Sequence, residues 1–312
     1  MSSTYGVFDL YLKERIVVSP SILRCVFQGN DVDQMQRHAP DQRIKLLLPQ
    51  PDSVKLNFGD ENDWYRGYQS IPKEQRPLMR TYTIRELRTE KKEMDVEFVL
   101  HDHHSPVSNW LSQVQSGDLL QVVAPRREQQ NGMEGSGKKG NGIEGCEWKP
   151  SPQVRQSLLI ADETALPAAL GILEQLAEDD APPYVQAFFE VPVTEDCVNL
   201  DHFTFADIFW LPRDGQEKYE HGERLVEAVR QHVVIPESAN IQMQSTIEEA
   251  SSEDKLWERA ENENNPNSFY AWVAAESSTV KKLRHYLILE RHLDRSTINF
   301  MAYWSKSSPR GR

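Results

Sequence analysis

Over the first 125 residues apolar and polar positions exchange in short runs, and no stretch sustains a helical period. RIVVS (15–19), LRCVFQG (23–29), RIKLLLP (43–49), RTYTIREL (80–87), DVEFVLH (95–101) and LLQVVAP (119–125) read as strands. Turn signals such as SPS and QSGDLL separate them, which predicts a small antiparallel six-stranded barrel. One short helix fits between the last two strands, at VSNWLSQVQ. Ser105 is its cap-type residue and Pro106 stands in its first turn.

The rhythm changes after residue 153. SLLIADE, YVQAFFEVP, FADIFWLP, FYAWVAAES and TINFMAYW read as strands, and TALPAALGILEQLAEDD, GERLVEAVRQHV and TVKKLRHYLILERHL as helices. Strands alternating with helices predict a parallel sheet covered by helices. The expected domains are therefore a barrel over 1–126 and an α/β domain over 154–312. Residues 127–153, Gly-rich and polar, read as a linker or insertion, and 236–268 as an acidic, Asn-rich insertion, a loop with room for a short helix. The linker contains GSGKKG (135–140), which fits a dinucleotide fingerprint, and GMEGSGKK (132–139), which is one residue short of a phosphate-binding loop. Both motifs require a preceding strand and a following helix, so linker composition is the expected reading.

A length of 312 residues also favours two domains. With 35 basic against 48 acidic residues the net charge is −13, which argues against nucleic acid and anionic membranes as partners. Cys25, Cys146 and Cys197 are scattered and lack paired spacing, so neither a disulfide framework nor a zinc or iron–sulfur site is expected. No apolar run is long enough to span a bilayer, and the expectation is a cytoplasmic monomer.

A barrel followed by an α/β sheet resembles the ferredoxin-reductase-like flavoenzymes, whose barrels hold a flavin with an R-x-Y-[ST] strand, and Arg80, Tyr82 and Thr83 within MRTYTIR match that spacing. The arginine suits a pyrophosphate, the ring can stack, and the hydroxyl can reach the flavin edge. Thr81 lies between them. Downstream, EFVLHDHHSPVSNWL brings a strand, a His-rich turn and a helix start at Pro106–Val107–Ser108, where the free backbone N–H groups of a helix N-terminus could cradle phosphate. His101, His103 and His104 offer too few ligands for a metal without companions elsewhere.

RPLMRTYTIRE, FVLHDHHSPVSNWL, SGDLLQVVAPR, IADETALPAAL, FWLPR, YAWVAAESSTVKKLRHYLILERHLDR and FMAYW occur in this order between residues 76 and 304. As a set they resemble the siderophore-interacting protein family, ferredoxin-reductase-like flavoenzymes that reduce ferric siderophores. The resemblance implies FAD in the barrel, held by Arg80, Tyr82, Thr83, His101, Pro106, Val107 and Ser108. It also implies NAD(P)H at the second domain, bordered by Thr164, Ala165 and Pro167, with Asp162, Glu163, Glu276 and Trp304 close by. From local pattern, Asp162, Glu163 and Glu276 read equally as helix-capping acids, and Trp304 as a core residue. Ser105, Asp102 and Ala161 stand where the family usually has glycine. An anionic ferric chelate would need local cations, for which Lys45 and Arg126 are the candidates. Two other readings stay open: a flavin-dependent reductase passing electrons to a ferredoxin- or flavodoxin-type carrier, and a non-catalytic siderophore-binding module; a ferredoxin-type electron donor is the alternative to NAD(P)H.

Overall fold

The computed structural model describes residues 5–56, 64–100, 105–127, 145–215, 219–239, 257–260 and 268–306. Contacts divide the chain into two units, 1–18 with 22–146 and 19–21 with 147–312.

The first unit is a seven-stranded antiparallel sheet in the order β4-β3-β7-β1-β2-β6-β5. Its strands are β1 (Tyr5–Ser19), β2 (Ile22–Gln28), β3 (Arg43–Leu48), β4 (Leu78–Thr83), β5 (Glu86–Arg88), β6 (Glu93–Val99) and β7 (Leu119–Pro125). Seven strands replace the expected six because RTYTIREL breaks into β4 and β5. These two are the opposite edges of the sheet, yet only Ile84 and Arg85 separate them. The Ile84 N–H bonds the Gln42 carbonyl beside β3, and the Arg85 N–H bonds the Asp95 carbonyl in β6 (both 2.9 Å). The sheet must therefore curl until its edges meet. Alternation puts Phe8, Leu10, Leu12, Ile44, Leu46, Phe98, Leu120 and Val122 on the inner face as a core. A smaller cluster of Leu47, Leu56 and Val123 lies on the outer face, covered by Trp64 and Tyr68 of α1 (Trp64–Ser70).

The second unit is a six-stranded sheet in the order β10-β9-β8-β12-β13-β11. The strands β8 (Gln156–Ala161), β9 (Tyr184–Val191), β10 (Ala206–Pro212), β12 (Phe269–Glu276) and β13 (Ile298–Trp304) are parallel. The helices α3 (Leu166–Leu176), α4 (Glu223–His232) and α5 (Ser277–Arg284) connect them. Two expectations change here. Part of the acidic insertion is a strand, β11 (Trp257–Glu258), antiparallel to β13. The helix expected over 279–293 ends at Arg284 and passes into a π-helical turn, His285–Glu290. Glu258 explains why β11 stays docked, since its buried carboxylate meets Arg284 Nε at 3.0 Å and Arg295 Nε at 3.3 Å. All three cysteines are free, and among the described residues no helix is long and apolar enough to cross a membrane.

Candidate functional site

In the first unit, strand alternation puts Arg80 and Tyr82 on one face of β4, with Thr81 and Thr83 on the other. Arg80 is half-buried. Among the described residues its Nη1 donates to the Met79 carbonyl at 2.8 Å, and no carboxylate pairs with it. Burial lowers its pKa and so disfavours an uncompensated charge there. Tyr82 packs on Phe98 with ring centroids 4.6 Å apart, and burial raises its phenol pKa. A guanidinium with unspent donors and no acid partner fits an anionic group such as a pyrophosphate.

The helix α2 (Pro106–Gln113) starts where the sequence predicts, but its donors are largely committed. Pro106 has no N–H, and the Ser108 N–H donates to the Ser105 hydroxyl at 3.0 Å. Ser105 closes this cap itself, leaving the Val107 N–H as the uncommitted donor of this turn among the described residues. His101, with His103 and His104, lies outside the described residues.

Lys45 and Arg126 do not come together. Lys45 Nζ donates to Thr81 Oγ1 at 2.6 Å on the outer face, in register with Thr81 and Val123. Arg126 lies on the inner side, 5.4 Å from the Phe8 ring and against Gly6, where an added Cβ would strike its guanidinium. Burial, helped by Arg43, lowers the Lys45 pKa.

In the second unit, β8 and β12 are adjacent while their crossovers leave in opposite directions. The crevice outside their carboxyl ends is the switch point at which open α/β sheets bind ligands. Each of the five parallel strands delivers a polar or aromatic residue there: Asp162 and Glu163 after β8, Glu190 from β9, Arg213 after β10, Glu276 from β12 and Trp304 from β13. Asp162, Glu163 and Glu190 are wholly buried. Arg213 forks onto both oxygens of Glu163 (2.7 and 2.9 Å) and reaches Glu190 at 3.0 Å. His221 points into the same cluster. Its Nε2 lies 3.4 Å from Glu163 and 3.6 Å from Asp162, and its Nδ1 lies 3.7 Å from Glu190. Gly222 makes that approach possible. At φ +87° it bends the chain so that its N–H bonds Glu190 at 2.8 Å, while an added Cβ would collide with Thr279.

Asp162 organises the turn. Oδ1 accepts from the Thr164 N–H (2.9 Å) and hydroxyl (2.5 Å). Oδ2 accepts from the Glu276 N–H (2.8 Å) and the Trp304 indole (2.9 Å). Its carbonyl takes the N–H groups of Ala165 and Leu166 (both 3.0 Å), and Pro167 has none to give. The start of α3 is thus closed by Asp162, unlike the open phosphate cradle of a Gly-rich loop. Burial and Glu163 push the Asp162 pKa up to about 6, against His221, Thr164 and Trp304. Glu276 caps α5 through Ser278 and Thr279, and also accepts from Ser277 and the Lys306 N–H. Burial would raise its pKa, but these donors bring it down to about 2.

Sequence reasoning found Asp162 and Glu163 but missed Glu190, Arg213 and His221. The signal available was charge at the carboxyl ends of apolar strands, in YVQAFFEV and FWLPR.

A curled antiparallel sheet followed by a helix-covered parallel sheet is the ferredoxin-reductase-like architecture. A family model described as "Siderophore-interacting FAD-binding domain" matches residues 12–129, and one described as "Siderophore-interacting protein" matches 154–307. The chain belongs to the siderophore-interacting protein family, and its first unit is the FAD-binding domain of an oxidoreductase. It is 25% identical to the ferric vibriobactin reductase ViuB of Vibrio cholerae, over 93% of this chain and 86% of that protein. It is also 25% identical to the NADPH-dependent ferric-chelate reductase of Escherichia coli, over 95% and 94%. A siderophore utilization protein from T. fusca shares the fold with a TM-score of 0.68, at 22% identity, over 99% of this chain and 97% of that one.

Proposed function

We propose that the chain is a ferric-siderophore reductase that draws electrons from NAD(P)H through FAD and releases iron as Fe(II). The observation that carries this reading is Arg80, a half-buried guanidinium with no acid partner among the described residues, on the strand face it shares with Tyr82. The names of the V. cholerae and E. coli relatives support the substrate class. FAD, when bound, supplies the conversion between a two-electron donor and one-electron ferric acceptors. Arg80 would hold its pyrophosphate, joined by the Val107 N–H. Tyr82, Thr81 and Thr83 line the same strand, and His101, Pro106 and Ser108 complete the assignment. The switch point in the second unit would receive the nicotinamide nucleotide, with Thr164, Ala165, Pro167 and Trp304 at its border and Asp162, Glu163 and Glu276 fixing the wall. The reading places the enzyme as a cytoplasmic monomer, and a ferredoxin-type donor is its competitor for the reducing end.

Anaerobic turnover with a ferrous-specific chromogenic chelator tests the proposal. Colour should form only when the flavoprotein, NAD(P)H and ferric siderophore are all present. Colour formed equally without FAD would sink it.

Lys45 is the first candidate for attracting an anionic ferric chelate, and Arg126 the second. They lie on opposite faces, so each requires its own variant. Lys45→Ala should slow flavin reoxidation by an anionic ferric siderophore several-fold at low salt, and should leave hydride transfer untouched. The deficit should fade with salt, as the Debye length falls from roughly 10 Å at 0.1 M to about 3 Å at 1 M. A deficit that ignores ionic strength would point to disturbed folding instead.

A further inference from the structure

His221 has no part in the reading above, yet its side chain is only 8% exposed and faces three carboxylates. Among the described residues neither ring nitrogen has a hydrogen bond of good geometry. The groups packed around it are Asp162 and Glu163 from the β8–α3 turn, Glu190 from β9, Arg213 beyond β10, and the Trp304 ring from β13. That ring stands edge-on at 4.9 Å. On its own segment, Glu220 is exposed and pairs with Lys306 at 3.9 Å. Among the described residues three buried carboxylates therefore face one guanidinium, and a charged His221 would supply a second cation to balance them.

The donor atoms of Asp162, Glu163 and His221 lie within 4.8 Å of one another, close enough to hold a metal ion. The oxygens, however, are already engaged. Arg213 occupies both of Glu163, and four donors occupy those of Asp162. A divalent ion would have to displace the guanidinium, whereas a proton on His221 displaces nothing.

We propose that His221 is a positioning residue of the nicotinamide site: its imidazolium keeps Asp162 ionised, and Asp162 in turn fixes the Trp304 indole and the β12–α5 turn. This rests on the reading that the nucleotide binds at this sheet edge. Burial opposes charge on the ring, but Glu163, Asp162 and Glu190 outweigh it and hold the His221 pKa above its ordinary value. Two protonation events then bound the working state. Asp162 must be ionised, above about pH 6, and His221 must be charged, below its raised pKa.

Anaerobic bleaching of the flavin by NADPH and NADH, followed against nucleotide concentration, separates nucleotide Kd from the limiting rate. Measured from about pH 5.5 to about 9.5, wild-type binding should be bell-shaped. His221→Gln should weaken binding about tenfold, more than it changes the limiting rate, by removing a charge-assisted pairing. It should also abolish the alkaline limb and move the acid limb to higher pH, because Asp162 loses a cation. His221→Lys keeps a cation throughout and should recover most of the affinity without an alkaline limb. Trp304→Phe should weaken binding without altering the limbs. If Trp304→Phe weakens binding while His221→Gln keeps the wild-type bell, His221 is a packing ring and the proposal fails. If neither variant changes Kd at any pH, the nucleotide binds elsewhere, and the reading and this inference fall together. Should His221→Gln not fold, the wild-type imidazole and the Trp304 indole N–H should titrate together by NMR. Independent titration would overturn the coupling.

Discussion

An Arg80→Ala variant is expected to fold and to lose most of its FAD. Among the described residues the side chain makes one bond, to a neighbouring carbonyl, and no ion pair, so its removal should leave the β3–β4 ladder intact. A charge-assisted contact to a pyrophosphate is worth about 1.5–3 kcal/mol, which corresponds to a roughly tenfold to hundredfold weaker Kd. Arg80→Lys should fall between, because an ammonium keeps the charge but not the planar fork. Flavin fluorescence titration of the apoprotein measures the loss, with circular dichroism as the check on folding. Unchanged affinity in a folded Arg80→Ala protein would remove Arg80 from the flavin site.

The second large effect concerns stability. Arg213→Met should destabilise the second unit by about 3–5 kcal/mol, because it leaves Glu163 and Glu190 buried without their guanidinium. Removing one partner of such a group costs far more than the pair contributes net. Urea unfolding of both proteins reads this directly. Arg213→Lys, which keeps the charge, should recover part of the loss, and an equal deficit in both variants would mean that lost packing, not charge, is responsible.

Much of the fold is legible because burial imposes period. The apolar runs of β8, β9 and β12 announce strands covered on both faces, and the alternation in RIKLLLP and LLQVVAP marks a sheet with one principal core. The corner at Ile84–Arg85 is illegible, because no glycine or proline marks it; it arises only from hydrogen bonds to residues far along the chain. The first ten residues of β1 were also missed. Charges at Asp9, Lys13 and Glu14 mask the alternation that buries Phe8, Leu10 and Leu12. In the site, Asp162 and Glu163 stand out as neighbours. Glu190, Arg213 and His221 join them only through the parallel register of β8, β9 and β10, which a single sequence does not carry. The Ser105-Pro106 pair is legible as a helix start, and the Ser105 hydroxyl takes up the Ser108 N–H.

Double-mixing stopped flow tests the central claim most directly. The FAD-loaded protein is first reduced anaerobically with NADPH, NADH or reduced ferredoxin, then mixed with ferric siderophore in the presence of a ferrous trap. The account predicts that a nicotinamide nucleotide bleaches the flavin, and that the ferric chelate restores its colour while two ferrous ions are trapped per flavin, as electron balance between a two-electron carrier and Fe(III) requires. Flavin that stays bleached in the presence of the ferric siderophore, with no ferrous complex formed, would contradict it.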